Sequence, residues 1–110
     1  MNDINGTIEG DIAVNTKCRL TGRVRGDIVA RSGAELILDG TCSDDLLIEP
    51  DAIVYLNGTV EGSVYNGGGS VEVHGVIAGN LYHNHNDGKT VIDEGADIKG
   101  QFIDNSTPGH

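Results

Sequence analysis

Residues 4–12 read Ile4-Asn5-Gly6-Thr7-Ile8-Glu9-Gly10-Asp11-Ile12, and this stretch decides the fold because the chain repeats it. Its pattern is an apolar residue, any residue, Gly, any residue, an apolar residue, any residue, Gly, a polar residue and an apolar residue. Further copies begin at Leu20, Leu38, Leu56 and Val73, and a degenerate copy ends at Phe102. The third copy has Asp44 in place of the second glycine. A repeat kept in step over most of the chain predicts a solenoid of similar, stacked coils.

The spacing of the glycines measures the length of each coil. The first glycines recur at intervals of 16, 18, 18 and 17 residues, at Gly6, Gly22, Gly40, Gly58 and Gly75. The second glycine of the last copy, Gly100, follows Gly79 by 21 residues. We therefore expect an insertion in the last coil, and we place it in the polar segment His83–Lys89.

Short apolar runs between the glycines predict strands. Ile53-Val54-Tyr55-Leu56 and Val71-Glu72-Val73 have the two-residue period of a strand, and no stretch has the 3.6-residue period of a helix. The predicted fold is all-β, a single right-handed parallel β-helix domain at residues 1–103 with about six coils of roughly 16–18 residues. A short flexible C-terminal tail at residues 104–110 follows.

A second period leaves the handedness open. Every sixth residue from Ile12 to Val60 is apolar, which is the period of left-handed hexapeptide β-helices. The paired glycines are the dominant unit, and they favour the right-handed coil.

Stacking of the copies predicts columns of interior side chains. The first column contains Ile8, Val24, Cys42, Val60, Ile77 and Ile98. The second contains Ile12, Ile28, Leu46, Val64, Leu81 and Phe102, and the third contains Leu20, Leu38, Leu56 and Val73. A narrow interior accepts Val, Ile and Leu, and it explains why the chain has no tryptophan. Glycine is expected at the corners, where the backbone has a positive φ or approaches another backbone closely.

The charge and the cysteines limit the partners and the compartment. The chain has 110 residues and a formal net charge of −10, which argues against a nucleic-acid partner and favours a basic protein. No apolar run approaches the roughly 20 residues that span a bilayer, and the first residues show no signal region, so a cytoplasmic protein is expected. In that compartment Cys18 and Cys42 are expected to be small buried hydrophobes, with Cys42 an inert thiol.

The residues for catalysis or metal binding are incomplete. His83, His85 and Asp87 lie close together in sequence, but a metal site usually needs a third protein ligand besides the two histidines, and His74 belongs to the preceding coil. The glycine loop at residues 66–70 has neither a following lysine nor a helix to bind phosphate. We therefore expect no enzyme activity, no catalytic residues, no metal site and no cofactor.

The repeat resembles the bactofilin family. The string Gly-x-apolar-x-Gly-Asp-Ile occurs at Gly6–Ile12 and Gly22–Ile28. The steps Gly33-Ala34-Glu35-Leu36 and Gly95-Ala96-Asp97-Ile98 match the Gly-Ala-x-Val/Ile step of that family, and the resemblance covers roughly residues 4–103. Bactofilins are bacterial cytoskeletal proteins with a right-handed β-helical core that polymerise end to end without a nucleotide. The resemblance implies a structural, self-assembling protein. It does not extend to the N-terminal tail that targets many members to membranes, so membrane association is not expected.

The ends of the solenoid are the predicted assembly surfaces. The terminal strands of an open solenoid have unpaired N–H and C=O groups, and a solenoid that stays monomeric needs polar caps. The expected contact residues are Ile4, Ile8 and Ile12 at the N-terminal end and Ile98, Phe102 and Ile103 at the C-terminal end. Phe102 either plugs the core or contacts another subunit. Assembly through two like ends, head to head or tail to tail, is the hypothesis at this stage.

The acidic charge supports an alternative function. An acidic stretch follows the basic residues of the second copy, and it contains Asp39, Asp44, Asp45, Glu49, Asp51 and Glu61. These residues are either solvated outer positions or a surface that steers a basic partner. The alternative is therefore a small acidic β-helical binding protein, such as an immunity protein or antitoxin that neutralises a basic toxin.

Overall fold

The fold is a β-solenoid built from three parallel sheets. The computed structural model describes residues 2–84 and 88–105, and these residues form 18 short strands and no helix. The chain enters the three sheets in turn, so that three consecutive strands make one coil and six coils are stacked. This architecture confirms the all-β solenoid of about six coils, and its right-handed sense stays a prediction.

Each sheet contains one strand from every coil. Sheet A consists of β1 (Asn2–Ile4), β4 (Lys17–Leu20), β7 (Glu35–Leu38), β10 (Ile53–Leu56), β13 (Ser70–Val73) and β16 (Lys89–Ile92). Sheet B consists of β2 (Thr7–Glu9), β5 (Arg23–Arg25), β8 (Thr41–Cys42), β11 (Thr59–Val60), β14 (Val76–Ile77) and β17 (Asp97–Ile98). Sheet C consists of β3 (Ile12–Val14), β6 (Ile28–Ala30), β9 (Leu46–Ile48), β12 (Val64–Asn66), β15 (Leu81–His83) and β18 (Phe102–Asp104). Of the predicted tail, Asp104 belongs to β18, and residues 106–110 lie outside the described residues.

The strand register confirms the three predicted columns. Val24, Cys42 and Val60 are successive partners in sheet B. Phe102 pairs with Leu81 in sheet C, as the second column requires. Strands of sheets A and C point two side chains inward, so two more interior columns are present. The one in sheet A includes Cys18, Leu36, Val54 and Val71. The one in sheet C contains Val14, Ala30, Ile48 and Asn66. Burial of each Val, Ile or Leu contributes about 1.5–3 kcal/mol, so the columns together supply the driving force for folding.

The insertion in the last coil differs from its prediction. Lys89 pairs with Ser70 in sheet A, and Asp97 pairs with Val76 in sheet B. Lys89 follows Ser70 by two residues more than Ser70 follows Ile53. Asp97 follows Val76 by four residues more than Val76 follows Thr59. Only half of the insertion therefore lies between β15 and β16, and the other half widens the corner at residues 93–96. A corner lies outside the strand ladder, so it accepts added residues without moving the columns.

Close stacking of the corners explains most of the recurring glycines. A Cβ atom on Gly22, Gly40, Gly58 or Gly75 would overlap the carbonyl oxygen of the glycine one coil earlier. Within this column, φ is positive only at Gly6 in the first coil, where no earlier backbone lies against it. Glycine is thus required mainly because two backbones approach each other, and less often because of its conformational freedom.

The two Gly-Ala steps lie at different corners of the coil. Gly33-Ala34 leads into β7 of sheet A, whereas Gly95-Ala96 leads into β17 of sheet B. In both steps the alanine N–H donates to the carbonyl of the residue three positions earlier, at 2.9 Å for Ala34 and 3.0 Å for Ala96. The two turns differ in backbone conformation, because φ is positive at Gly33 but not at Gly95. The Gly-Ala step therefore specifies neither the turn type nor the corner.

Replacement of a stacked glycine tests this account. We expect Gly58→Ala to lower the free energy of unfolding by about 3 kcal/mol, because the new Cβ would overlap the backbone of the preceding coil. Gly95→Ala is the matched control, since its Cβ would meet nothing closer than Asp93 Oδ2 at 3.4 Å. Urea denaturation followed by circular dichroism measures both. Equal stability of the two variants would contradict the stacking argument.

Candidate functional site

The N-terminal end of the solenoid is an apolar hollow. Strands β1, β2 and β3 are the outer strands of the three sheets, and within the described residues each pairs on one side only. Their inward side chains, Ile4, Ile8 and Ile12, are half-buried and pack against the core. Together with Val14 and Cys18 they line a hollow of about 290 Å³. These three isoleucines therefore lie together, as the sequence predicted.

The C-terminal end exposes large apolar side chains. The columns finish at Ile92, Ile98 and Phe102, and no further coil covers these residues within the part of the chain that the structure describes. Phe102 is 48% exposed and Ile92 42% exposed, although Leu81, one coil below Phe102, is 0% exposed. Phe102 thus occupies its predicted column but protrudes from the end of it. Ile92 is absent from the expected set. The signal for it was the third column, because Ile92 pairs with Val73, the last residue predicted in that column.

Ile103 lies in the last coil, as expected, but on its outer face. It pairs with Tyr82, and the strand alternation points both side chains to the outer face of sheet C. The neighbouring positions form one outward column along the whole sheet: Ala13, Val29, Leu47, Tyr65, Tyr82 and Ile103. The rings of Tyr65 and Tyr82 are stacked with centroids 4.8 Å apart. Ile103 therefore belongs to an apolar stripe on the side of the solenoid.

A ladder of polar side chains connects all six coils at the corner between sheets B and C. Its members are Asp11, Asp27, Asp45, Ser63, Asn80 and Gln101. Each of the first five accepts a hydrogen bond from the backbone N–H of the next member. The distance is 2.7 Å from Asp27 N–H to Asp11 Oδ1 and 2.9 Å from Asp45 N–H to Asp27 Oδ1. We call this series the corner ladder.

The corner ladder has a direction. Every side-chain oxygen in it accepts from the coil on its C-terminal side, so the two ends of the ladder differ chemically. Within the described residues, the N–H of Asp11 has no acceptor and the side chain of Gln101 has no hydrogen-bond partner. The polar residue after the second glycine of each repeat was the sequence signal. Its role became visible only when the coils were placed in register.

The predicted acidic surface is not a single face. Asp39 lies at the corner between sheets A and B, and Asp44 and Asp45 lie at the corner between B and C. Glu49 and Asp51 lie at the third corner, and Glu61 follows β11 on sheet B. Because residues adjacent in sequence pass around a coil, the six carboxylates encircle coils 3 and 4. The six carboxylates therefore do not form one face, and their binding to a basic partner stays a prediction.

Ion pairs with the second coil neutralise several of these carboxylates. Arg19 Nε is 2.7 Å from Asp39 Oδ2, and hydrogen bonds from Asn57 and then Arg19 hold the pKa of Asp39 below its ordinary value. Arg23 pairs with Glu61 at 3.2 Å, and Arg31 pairs with Glu49 at 3.5 Å. Exposed pairs of this kind contribute about 0–1 kcal/mol each. They show that the basic and acidic stretches of the sequence face each other across adjacent coils for Arg19 and Arg31, and across two coils for Arg23 and Glu61.

The histidines considered as metal ligands lie apart from each other, and the glycine loop considered for phosphate is hydrogen-bonded within itself. His74 Nε2 is 3.1 Å from Glu72 Oε1, whereas His83 Nδ1 is 2.9 Å from Thr90 Oγ1 on a different corner. His85 and Asp87 lie outside the described residues, and among the described residues no three potential metal ligands are grouped. In the loop at residues 66–70, the buried Asn66 side chain accepts from Gly68 N–H at 3.1 Å.

Both cysteines are free and buried, as predicted. Cys42 is 0% exposed, and its thiol donates to the carbonyl oxygens of Gly26 and Asp45 at 3.4 Å. Burial raises the pKa of Cys42 to about 11. Burial and, to a smaller extent, the Asp3 carboxylate raise the pKa of Cys18. Neither environment favours the reactive thiolate.

Comparisons of the chain with protein-family models, curated proteins and solved structures found no match. The resemblance of the repeats to bactofilins therefore stays a prediction. No helix in the described part of the chain is long and apolar enough to cross a membrane.

Substitutions at Asp45 test the corner ladder. Asp45→Ala removes the acceptor for Ser63 N–H and should lower the free energy of unfolding by about 1–2 kcal/mol. Asp45→Asn keeps an oxygen acceptor and should recover most of the loss. Asp44→Ala, at the exposed neighbouring position, is the control and should change stability by less than about 0.5 kcal/mol. The ladder would be irrelevant to stability if all three variants unfolded at the same urea concentration.

Cys42 should make the fold sensitive to alkaline pH. A pKa that folding raises from 9.0 to about 11 gives a contribution that is complete below pH 9 and lost as the pH rises towards 11. That shift corresponds to at most about 3 kcal/mol. Cys42→Val fits a column that already contains Val24 and Val60, and it should reduce the alkaline loss. Urea titrations at pH 7, 9 and 10.5 compare the two proteins, and parallel pH profiles would contradict the prediction.

Proposed function

We propose that the chain is a structural protein of the bactofilin type that self-assembles end to end without a nucleotide. The observation that carries the proposal is the open C-terminal end of the core. Phe102 and Ile92 are 48% and 42% exposed there, at the end of columns whose central members are fully buried. The half-buried Ile4, Ile8 and Ile12 at the other end support the same function.

Apolar burial and strand pairing together supply the attraction. Full burial of an Ile or Phe side chain contributes about 1.5–3 kcal/mol, and part of that gain is still available at each end. The outer strands at both ends also present backbone N–H and C=O groups that another subunit can pair with. These forces arise from the end surfaces themselves, so the proposed contact has no step that requires a nucleotide.

The net charge makes the assembly depend on salt. Each subunit has a formal charge of −10, so subunits repel one another at low ionic strength. The end residues that make the proposed contact are apolar, and added salt screens the repulsion without weakening their association. Higher ionic strength should therefore favour the polymer.

Sedimentation velocity and negative-stain microscopy test the proposal. The average mass of the wild-type protein should rise with concentration, and filaments should appear. Phe102→Arg should form no filaments under the same conditions, because a charged side chain at the C-terminal end of the core opposes burial there. Leu47→Arg is the matched control, since Leu47 is 38% exposed on the side of the solenoid and should tolerate the change.

Two results would contradict the proposal. A wild-type protein that stays monomeric at millimolar concentration and high salt has no end-to-end contact. Assembly that survives Phe102→Arg but is lost in Leu47→Arg would show that subunits associate through sheet C. Circular dichroism of each variant establishes that the solenoid is folded.

A further inference from the structure

We infer that the outer face of sheet C is a docking surface for a basic amphipathic helix of another protein. This inference goes beyond the proposed self-assembly, because it concerns the side of the solenoid and not its ends. Three features of sheet C support it: an apolar stripe, a hollow on that stripe, and an excess of carboxylates along its borders.

The apolar stripe is continuous over all six coils. The outward column of sheet C contains aliphatic and aromatic side chains throughout, from Ala13 to Ile103. The matching column of sheet A contains Arg19 and Glu72, and that of sheet B contains Arg23 and Asp97. Sheet C therefore presents an apolar side surface where the other two sheets present charged ones.

A shallow hollow on the stripe fits an aliphatic side chain. Its volume is about 230 Å³, and its walls include Val29, Leu47, Pro50 and Tyr65. Leu47 is 38% exposed, and the ring of Tyr65 is stacked on Tyr82 with centroids 4.8 Å apart. The stacking holds the Tyr65 ring in place before any partner arrives, so a side chain that enters the hollow gains apolar burial at a small ordering cost.

The charge beside the stripe selects a basic partner. Among the described residues, the strands of sheet C and the two positions before and after each strand contain six carboxylates: Asp11, Asp27, Asp44, Asp45, Glu49 and Asp104. The single Lys or Arg at these described positions is Arg31, which pairs with Glu49 at 3.5 Å. The remaining six of the seven Lys and Arg residues lie in or directly after strands of sheets A and B. A partner with Lys and Arg beside an apolar face complements both features.

The same charge disfavours a second copy of this chain as the occupant. Two stripes in contact would bring the carboxylates of both copies together, and each copy has a formal charge of −10. An anionic membrane surface would be repelled for the same reason. The favoured occupant is therefore a different protein with a basic docking segment.

The length and the spacing of the stripe match an α-helix. Successive side chains of the stripe are about 4.8 Å apart, and one turn of a helix rises about 5.4 Å. Six positions span about 24 Å, which is the length of a helix of about 16 residues. One apolar side chain per helical turn then meets the stripe, in the spacing by which amphipathic helices dock on apolar surfaces.

A synthetic helical peptide of about 16 residues is the probe, with one apolar stripe of Leu and with Lys on both sides of it. Fluorescence anisotropy of the labelled peptide measures its affinity for the wild-type protein. A peptide with Glu in place of Lys, and one of the same composition with the Leu positions scrambled, should each bind at least about tenfold more weakly. Equal binding of the scrambled peptide would overturn the inference, because charge alone would then explain the association.

Substitutions that leave the net charge unchanged locate the bound peptide. Leu47→Ser should weaken binding about tenfold by removing an apolar contact on the stripe. Ile53→Ser is the matched control, since Ile53 is 39% exposed on sheet A, and its affinity should stay within about twofold. Phe102→Ser, at the open end of the core, should behave like this control. Leu47→Ala replaces Leu47→Ser if circular dichroism shows that the latter is unfolded.

Paired substitutions test the role of the carboxylates. Asp27→Asn combined with Asp45→Asn keeps the oxygen acceptors of the corner ladder and removes two charges beside the stripe. At low salt this variant should bind the peptide about threefold more weakly. Glu72→Gln combined with Glu94→Gln removes the same charge away from sheet C and should have a smaller effect. Equal losses in the two variants would overturn the assignment of the carboxylates beside sheet C as the selecting charge.

Three further results would overturn the inference. Equal affinities of Leu47→Ser and Ile53→Ser would show that the stripe makes no contact with the peptide. Loss of binding in Phe102→Ser alone would place the peptide on the open end of the core. A dimer of the wild-type protein that forms without peptide and is abolished by Leu47→Ser would assign the stripe to a second copy. The filament assay of Phe102→Arg tests end-to-end assembly separately, so failure of the docking surface leaves the proposed function intact.

Discussion

Close contact between the backbones of successive corners is the constraint on which the rest of the structure depends. At the first glycine of each repeat, the chain passes so near the preceding coil that a single Cβ would overlap a carbonyl oxygen. This contact holds the coils at the spacing of paired parallel strands. It also keeps the three sheets in register from coil to coil, and the register stacks Val24, Cys42 and Val60 into a continuous column. A narrow core without large aromatic residues is the result.

The same stacking determines what the surface and the ends present. Side chains that follow one another in sequence are distributed around a coil, whereas side chains separated by one full coil become neighbours. Arg19 and Asp39 therefore meet as an ion pair, and the carboxylate stretch that looks continuous in sequence is dispersed over three corners. At the ends, the stacking stops while the columns remain apolar, so Phe102 and Ile92 are exposed. The candidate assembly surface is thus a direct product of the repeat.

Prediction from sequence succeeded where each coil repeats the one before it. The columns, the buried thiols and the position of Phe102 follow from counting glycines, because one interval applies to every residue of a coil. It failed where a residue departs from that interval or where orientation matters. Half of the insertion lies at a different corner from the one expected, and Ile92 is a further exposed end residue that the expected set lacks. Corners accept extra residues without disturbing the columns, so the repeat alone does not locate them.

The sequence by itself determined the number of coils, their parallel stacking and the apolar composition of both ends. These features depend on local periodicity and on the steric requirement for glycine, which are visible in one dimension. Only the tertiary structure decided that Asp11, Asp27, Asp45, Ser63, Asn80 and Gln101 form one directional series of hydrogen bonds. The reason is geometric. Each bond joins a side chain to a backbone N–H that is 16 to 21 residues away, and its direction is set by the orientation of a side chain within a corner.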